Sequence, residues 1–258
     1  MPRFAANLTM MFNEVPLLDR FAAAAQAGFD AVEYLFPYDH APEVIAAALS
    51  ENGLTQALFN MPPGDWAGGE RGLAALPGRH DDFRASVETA LRYAPATKVR
   101  RLHMMAGNAD RSDPEAASAY RNSLIYACER AAVLGLDIVI EPINTRDMPG
   151  YFLNDFHHAA DLIAELALPN LKLQFDIYHR QILHGDVTIG LRQMMPIIGH
   201  VQIAAVPHRH EPCTGELDDV HVLRELDSLG YAGFVGCEYR PSGDTVSGLG
   251  WMQRLAPN

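Results

Sequence analysis

"DIVIEPIN" (residues 137–144) opens as an apolar, β-rich run and then sets a carboxylate, Glu141, where the run stops, with Pro142 directly behind it. "FVGCEY" (234–239) repeats the arrangement with Glu238. Working outward, similar short runs occur at 3–9 (RFAANLT), 31–36 (AVEYLF), 54–61 (LTQALFNM), 99–107 (VRRLHMMAG), 171–179 (LKLQFDIYH) and 200–206 (HVQIAAV), which predicts eight strands. Between them lie Ala- and Leu-rich helical patterns at 14–27, 42–52, 81–94, 114–134, 154–167, 187–197 and 218–229. Asp113-Pro114 and Asn154 read as helix starts. Gly28, Gly53, Gly135 and Gly230 fall where a helix hands over to the next strand. Strict β/α alternation with parallel crossovers gives an open doubly wound sheet or a closed barrel. Eight units in 258 residues favour an α/β fold of the (β/α)8 TIM-barrel type, one domain over 1–258. No G-x-G-x-x-G follows the first strand, which counts against a dinucleotide-binding sheet. The stretches "AGFDAVEYLFP", "LGLDIVIEPIN" and "LGYAGFVGCEYRP" share a helix-end glycine, a strand and a glutamate, a loose repeat that suits stacked βα units.

Composition bounds the function. The chain is 48% hydrophobic, enough for a large core, and carries a net charge of −12. Polyanions want a basic face, so a nucleic-acid or membrane-surface partner is not expected. A small anionic substrate needs only local positive charge. The three cysteines, Cys128, Cys213 and Cys237, are far apart, which argues against disulfides and thiolate zinc and for a reducing cytoplasm. "MPRFAANLTMMF" at the start lacks a signal-peptide apolar core, and no run reaches membrane-spanning length. "SGDTVSGLGWMQRLAPN" at the end reads as a closing loop and short helix. One long Gly/Pro segment, "MPPGDWAGGERGLAALPGRHDD" (61–82), breaks the rhythm. A loop of this length in a compact domain reads as a lid or binding loop rather than a disordered insertion, because Trp66 and Leu73 are residues that pack.

Four polar residues sit in or at the end of successive apolar strands: Glu141, Asp176, Gln202 and Glu238. The strand period of two puts them on the faces of Val139, Gln174, His200 and Gly236 respectively. In a barrel the loops after the strands form the active-site face. A lone strand-end acid is ordinarily a solvated or capping group. Three carboxylates brought together would repel and be costly to desolvate, and a hard divalent cation, Mg²⁺ or Mn²⁺, resolves both. His179, three residues after Asp176, can be a ligand, a substrate donor or simply structural; His103 near the end of the fourth strand is similar. Glu33 also lies in a strand and reads as structural. "HRHEP" (208–212) reads as a substrate loop, since alternate loop residues have no fixed geometry for a metal.

"NMPPGDWAGGERG" (60–72), "EPIN" (141–144), "FDIYH" (175–179), "HVQIA" (200–204), "HRHEPCTGE" (208–216) and "CEYRP" with the following "GLGW" resemble the hydroxypyruvate isomerase family, which includes 2-oxo-tetronate isomerases among the xylose-isomerase-like barrels. The match is collinear from the third strand onward. The resemblance implies a (β/α)8 barrel and a divalent metal. It implies Glu141 and Glu238 as the acid/base pair of an aldose–ketose type isomerase, and Glu141, Asp176, Gln202 and Glu238 as metal ligands. By analogy with related sugar epimerases it implies His179 and Arg209 as substrate-binding residues. The chain departs from the family pattern at His208, where glycine is expected. The expected substrate is a small anionic sugar acid, hydroxypyruvate or 2-oxo-tetronate, isomerised through an enediol. Its carboxylate calls for the metal and an arginine among Arg71, Arg209 and Arg240, each of which has a surface salt bridge as its alternative role. Other readings are a metal-dependent sugar epimerase, an apurinic-site endonuclease, against which the charge and Gln202 argue, and a sugar-acid binding module. A homo-oligomer is left open.

Overall fold

A computed structural model describes residues 2–255. Eight parallel strands close a barrel in sequence order. They are β1 (Arg3–Asn7), β2 (Ala31–Tyr34), β3 (Thr55–Asn60), β4 (Arg101–His103), β5 (Asp137–Ile140), β6 (Leu171–Asp176), β7 (Ile198–Ile203) and β8 (Phe234–Cys237). Ala5 of β1 pairs with both Ala31 of β2 and Gly236 of β8, which closes the ring. Around it run α1 (Leu17–Gln26), α2 (Pro42–Glu51), α3 (His80–Thr97), α4 (Pro114–Ala132), α5 (Phe156–Leu166), α6 (Ile177–Leu183), α7 (Val187–Met194) and α8 (Asp219–Ser228). The chain ends in α9 (Thr245–Gly248) and a 3-10 turn over Leu249–Leu255; residues 256–258 of the expected closing segment lie outside the described residues.

The elements form for local reasons. Asp113 caps α4 by accepting from the Glu115 N–H, with Pro114 in the first turn. At α5 the cap is Asp155 rather than the expected Asn154: its carboxylate accepts from His157 and His158 N–H, while the Asn154 amide turns back to the Tyr151 carbonyl. The expected sixth strand is too long. Beyond Asp176 the chain turns at once into α6, because the Asp176 side chain accepts from the Tyr178 N–H at 2.7 Å and so starts a helix.

The core is arranged in two parts. One large apolar cluster fills the space between strands and helices, with Phe21, Phe59, Phe156 and Phe175 fully buried in it. A small plug of Ala5, Ala31, Ala57 and Phe234 lies near the strand starts. Between that plug and the strand ends, Glu33, Gln174, His200 and Gln202 are buried. Register shifts opposite Val32/Glu33 and Leu173/Gln174 leave Ala57 of β3 and Gly199 of β7 as extra residues, and these bulges re-aim β3 and β7 at this level. Among the described residues no helix is long and apolar enough to cross a membrane.

The segment after β3 is less free than its glycines suggest. Gly72 has φ +115° and its Cα packs against the backbone of Met105, so it serves close approach rather than hinging. The Ala75 N–H donates to the Ala106 carbonyl and Ser123 Oγ donates to the Ala74 carbonyl. The projecting tip, around Trp66 and Arg71, is stitched internally: Glu70 accepts from the Asp65 N–H, and Asp65 accepts from the Gly68 N–H.

Candidate active site

A cavity of about 500 Å³ opens at the C-terminal ends of the strands. Glu141, Glu238, His103, His179, Arg71 and Arg209 all line it. Glu141 and Glu238 stand one residue beyond β5 and β8, and His103 ends β4. Asp176, the last residue of β6, and Gln202 of β7, its register partner, are buried and do not themselves line the cavity.

One oxygen each of Glu141 and Asp176 and one ring nitrogen of His179 lie within 4.8 Å of one another, all buried. Glu141 Oε1 and Asp176 Oδ2 have no hydrogen-bond partner, which is costly for a buried polar atom. Asp176 Oδ1 is already used by the start of α6, so Oδ2 is the oxygen left on the side of His179 and Arg209. Two neighbouring buried carboxylate oxygens without hydrogen-bond partners are donors that a hard cation takes. The residues therefore fit a divalent metal.

Electrostatics point the same way. Burial, with Glu238 and Asp176 close by, pushes the Glu141 carboxyl well above the usual range. Burial pushes Asp176 up to about 6 against the pull of Arg209 and two backbone N–H groups. Burial pushes Glu238 up to about 8, again with Arg209 opposing. Arg209 sits among these acids: Nη2 is 2.7 Å from Glu238 Oε2 and 3.6 Å from Asp176 Oδ2, and Nη1 is 3.6 Å from Asp147 Oδ2. Burial works against the Arg209 charge, yet Glu238, Asp176 and Glu141 raise its pKa. One cation for three buried acids leaves the site short of positive charge.

His179 can be assigned a tautomer. The Asp147 N–H donates to Asn144 Oδ1 at 2.9 Å, which turns the Asn144 amide nitrogen toward His179 Nδ1 at 2.7 Å. Nδ1 therefore accepts, and Nε2 carries the proton. Burial holds the ring well below its ordinary pKa, so it is neutral. Nε2 points its N–H at Asp176 Oδ2 (3.5 Å) and Glu141 Oε1 (3.9 Å). A protonated Nε2 donates and does not ligate, so the metal-sized cluster is two carboxylates with a donor beside them. His103 Nε2, without a hydrogen-bond partner, is 3.6 Å from Glu141 Oε2, and burial pulls the ring down to about 3.

Gln202 is held more tightly than a free ligand. Its Nε2 donates to Glu33 Oε1 and its Oε1 accepts from Gln174 Nε2, both at 2.7 Å. A carbonyl oxygen has a second lone pair, so the amide oxygen retains one acceptor position. Arg71 lies over Trp66, 4.0 Å from the ring centre, while its Nη1 donates to the Trp66 and Glu70 carbonyls. Trp66 in turn packs edge-on to Phe36. The side chain of Arg240 lines the same cavity and has no hydrogen-bond or ion-pair partner among the described residues. In the "HRHEP" stretch, His208 and Arg209 line the cavity, whereas His210 points Nδ1–H at the Arg240 carbonyl. Asn144 and Asp147, which orient His179 and flank Arg209, were not picked out by sequence reasoning. Asn144 stands within the "EPIN" motif, but its partner is 35 residues away.

Comparison with known proteins follows the same lines. The model of the family described as xylose isomerase-like TIM barrel matches residues 21–255. The chain is 54% identical over 255 residues to a 2-oxo-tetronate isomerase of Cupriavidus necator, covering 98% of both chains. It is 42% identical over 254 residues to the hydroxypyruvate isomerase of Escherichia coli, again covering 98% of both. A crystal structure described as an AP endonuclease, family 2, from Brucella melitensis superposes with a TM-score of 0.96 at 49% identity, covering 100% of each chain.

Proposed function

The chain belongs to the xylose isomerase-like TIM barrel family, and from that premise we propose that this isomerase interconverts a 2-oxo-3-hydroxy acid with its 3-oxo isomer. The substrate class is hydroxypyruvate or 2-oxo-tetronate, after the relatives of those names. The single observation that carries the reading is the pair Glu141 and Glu238 facing one small cavity, with unpartnered carboxylate oxygens of Glu141 and Asp176 beside them.

The reaction moves a proton between adjacent carbons through an enediolate, so the protein must place bases and stabilise negative charge. Glu141, Asp176, Gln202 and Glu238 are the residues that would hold a divalent cation, with Mg²⁺ or Mn²⁺ favoured by their all-oxygen donors. Such an ion, when bound, supplies Lewis-acid polarisation of the carbonyl and hydroxyl oxygens. Glu141 and Glu238 approach from different strands, so one removes the proton and the other returns it. Arg209, 2.7 Å from Glu238, favours the ionised form of that carboxyl against the opposing effect of its burial. That same commitment leaves Arg209 little freedom to grip the substrate. The substrate carboxylate is assigned to Arg71, whose remaining guanidinium edge is presented flat by Trp66, with Arg240 in the same cavity as the alternative. His179 donates Nε2–H to a substrate oxygen, and His103 lies alongside it.

The endonuclease description of the Brucella structure offers a second reading. A nuclease groove for a polyanion is at odds with a net charge of −12 and with a cavity sized for a small molecule. The test is turnover. Protein stripped with EDTA and reloaded with Mn²⁺ is assayed on hydroxypyruvate, on 2-oxo-tetronate and on abasic DNA. Turnover of either keto acid, abolished by EDTA and restored by Mn²⁺, is expected. Incision of the DNA with no keto-acid turnover would overturn the reading.

A further inference from the structure

Beneath the cavity, Glu33 of β2 is fully buried in the barrel interior. Burying a carboxylate costs several kcal/mol unless its oxygens are well satisfied, so its presence calls for a reason. Two donors converge on its Oε1, Asn7 Nδ2 at 3.0 Å and Gln202 Nε2 at 2.7 Å, and His200 Nε2 shares a hydrogen bond of 2.6 Å with Oε2. The Asn7 donor is not a matter of choice, because Asn7 Oδ1 is taken by the Thr9 N–H. The fold makes room for this carboxylate: a Cβ on Gly236, across the barrel, would collide with it. The register shift of β3 opposite Val32/Glu33 falls at the same point.

The consequence concerns Gln202. An amide can present either its oxygen or its nitrogen to a neighbour, and only the oxygen can face a cation. Glu33 Oε1 already accepts from the fixed Asn7 amide nitrogen, so the end of Gln202 turned to that oxygen must be its own nitrogen. The Gln202 oxygen is then forced the other way, toward Gln174 Nε2 and the side of Asp176, its neighbour in register. We propose that Glu33 is a positioning residue that fixes the polarity of the Gln202 amide, with His200 and Asn7 holding Glu33 in place. The inference rests on the reading that a divalent cation binds among Glu141, Asp176, Gln202 and Glu238. A purely structural Glu33 would fill the barrel equally well as an apolar side chain and would leave cation affinity alone.

The test reads Mn²⁺ affinity directly, by electron paramagnetic resonance of free Mn²⁺ titrated against EDTA-stripped protein. Three proteins are compared: wild type, Glu33→Gln, and the double variant Glu33→Gln/Gln202→Glu. The first variant keeps shape but no longer dictates which end of Gln202 faces it. The double variant reverses the pair and again leaves an oxygen on the cation side. Glu33→Gln is expected to fold by circular dichroism yet bind Mn²⁺ about ten- to a hundredfold more weakly, the range for disturbing a group that orients a ligand. The double variant is expected to recover most of the loss. Wild-type affinity in Glu33→Gln overturns the proposal while leaving the cation reading intact. Weak binding that the double variant does not rescue assigns Glu33 to packing and also overturns it. No Mn²⁺ binding by the wild type removes the cation reading, and the proposal with it.

Discussion

Replacing Arg209 with methionine tests whether charge balance, rather than packing, holds the site together. Methionine keeps an unbranched stem under the guanidinium position, which lies 5.0 Å from the Tyr178 ring centre. What is lost is the one buried cation among Glu238, Asp176 and Glu141, with the contact to Glu238 Oε2 at 2.7 Å. Leaving a buried partner charged and alone costs about 3–5 kcal/mol. The carboxyls can avoid that by keeping protons, and this sets the pH dependence. Burial already pushes Glu238 up to about 8 and Asp176 up to about 6 with Arg209 opposing. Without Arg209 both rise further, while the unfolded chain titrates in the ordinary carboxylate range. The native state then binds more protons than the unfolded one at neutral pH, so stability is retained at low pH and lost as pH rises through the folded-state values. Urea unfolding of metal-free protein should therefore show Arg209→Met weakened by about 3–5 kcal/mol at pH 8 and by clearly less at pH 5.5. Mn²⁺ should restore part of the loss at pH 8. An equal loss at both pH values, or none at pH 8, would refute the reasoning.

Three further outcomes are expected. Cation binding needs the carboxyl oxygens free of protons, and Glu238 at about 8 and Asp176 at about 6 hold them over part of the range from pH 6 to 8. Mn²⁺ affinity should therefore rise with pH across that range, with proton release visible as a buffer-dependent heat in calorimetry; a flat profile counts against the assigned ligands. Arg71→Lys keeps the charge but not the fork, so KM for the keto acid should rise severalfold with little change in kcat; unaltered kinetics would move the carboxylate contact to Arg240 or Arg209. Gly72→Ala, at φ +115° and against the Met105 backbone, should destabilise the protein by at least about 1 kcal/mol, and an unchanged urea midpoint would mean that the segment is not anchored there.

Much of the architecture was legible because a barrel strand is a short apolar run bounded by turn residues, and eight such runs alternate with helical patterns. Glu141 and Glu238 stood out for a related reason: a lone strand-end acid is ordinarily a solvated or capping group, but here such polar residues recur on successive apolar strands. Where reading failed, the deciding contact was local and polar, or distant in sequence. "DIYH" continues the apolar run of β6, and only the Asp176 carboxylate capping the Tyr178 N–H turns it into α6. The partners of Glu33, His200 and Gln202, are 167 and 169 residues away and meet it only when the barrel closes, so its hydrogen bonds were not legible. Residues 61–82 read as a lid or binding loop, yet within that loop Gly72 is pressed against a neighbouring backbone that the sequence does not place beside it. The role of Asn144 depended on an amide orientation set by Asp147, which periodicity does not encode.

The central claim is proton transfer by a pair of glutamates, and product isolated from D₂O tests it most directly. Mn²⁺-loaded protein is given substrate, and deuterium at the carbon that gains hydrogen is read by NMR for wild type, Glu141→Gln and Glu238→Gln. The account predicts solvent label in the wild-type product and, in each variant, turnover reduced on the order of 10²–10⁴-fold in a protein that still folds. Product free of solvent deuterium, with deuterium from labelled substrate retained, would contradict it and indicate a hydride shift instead.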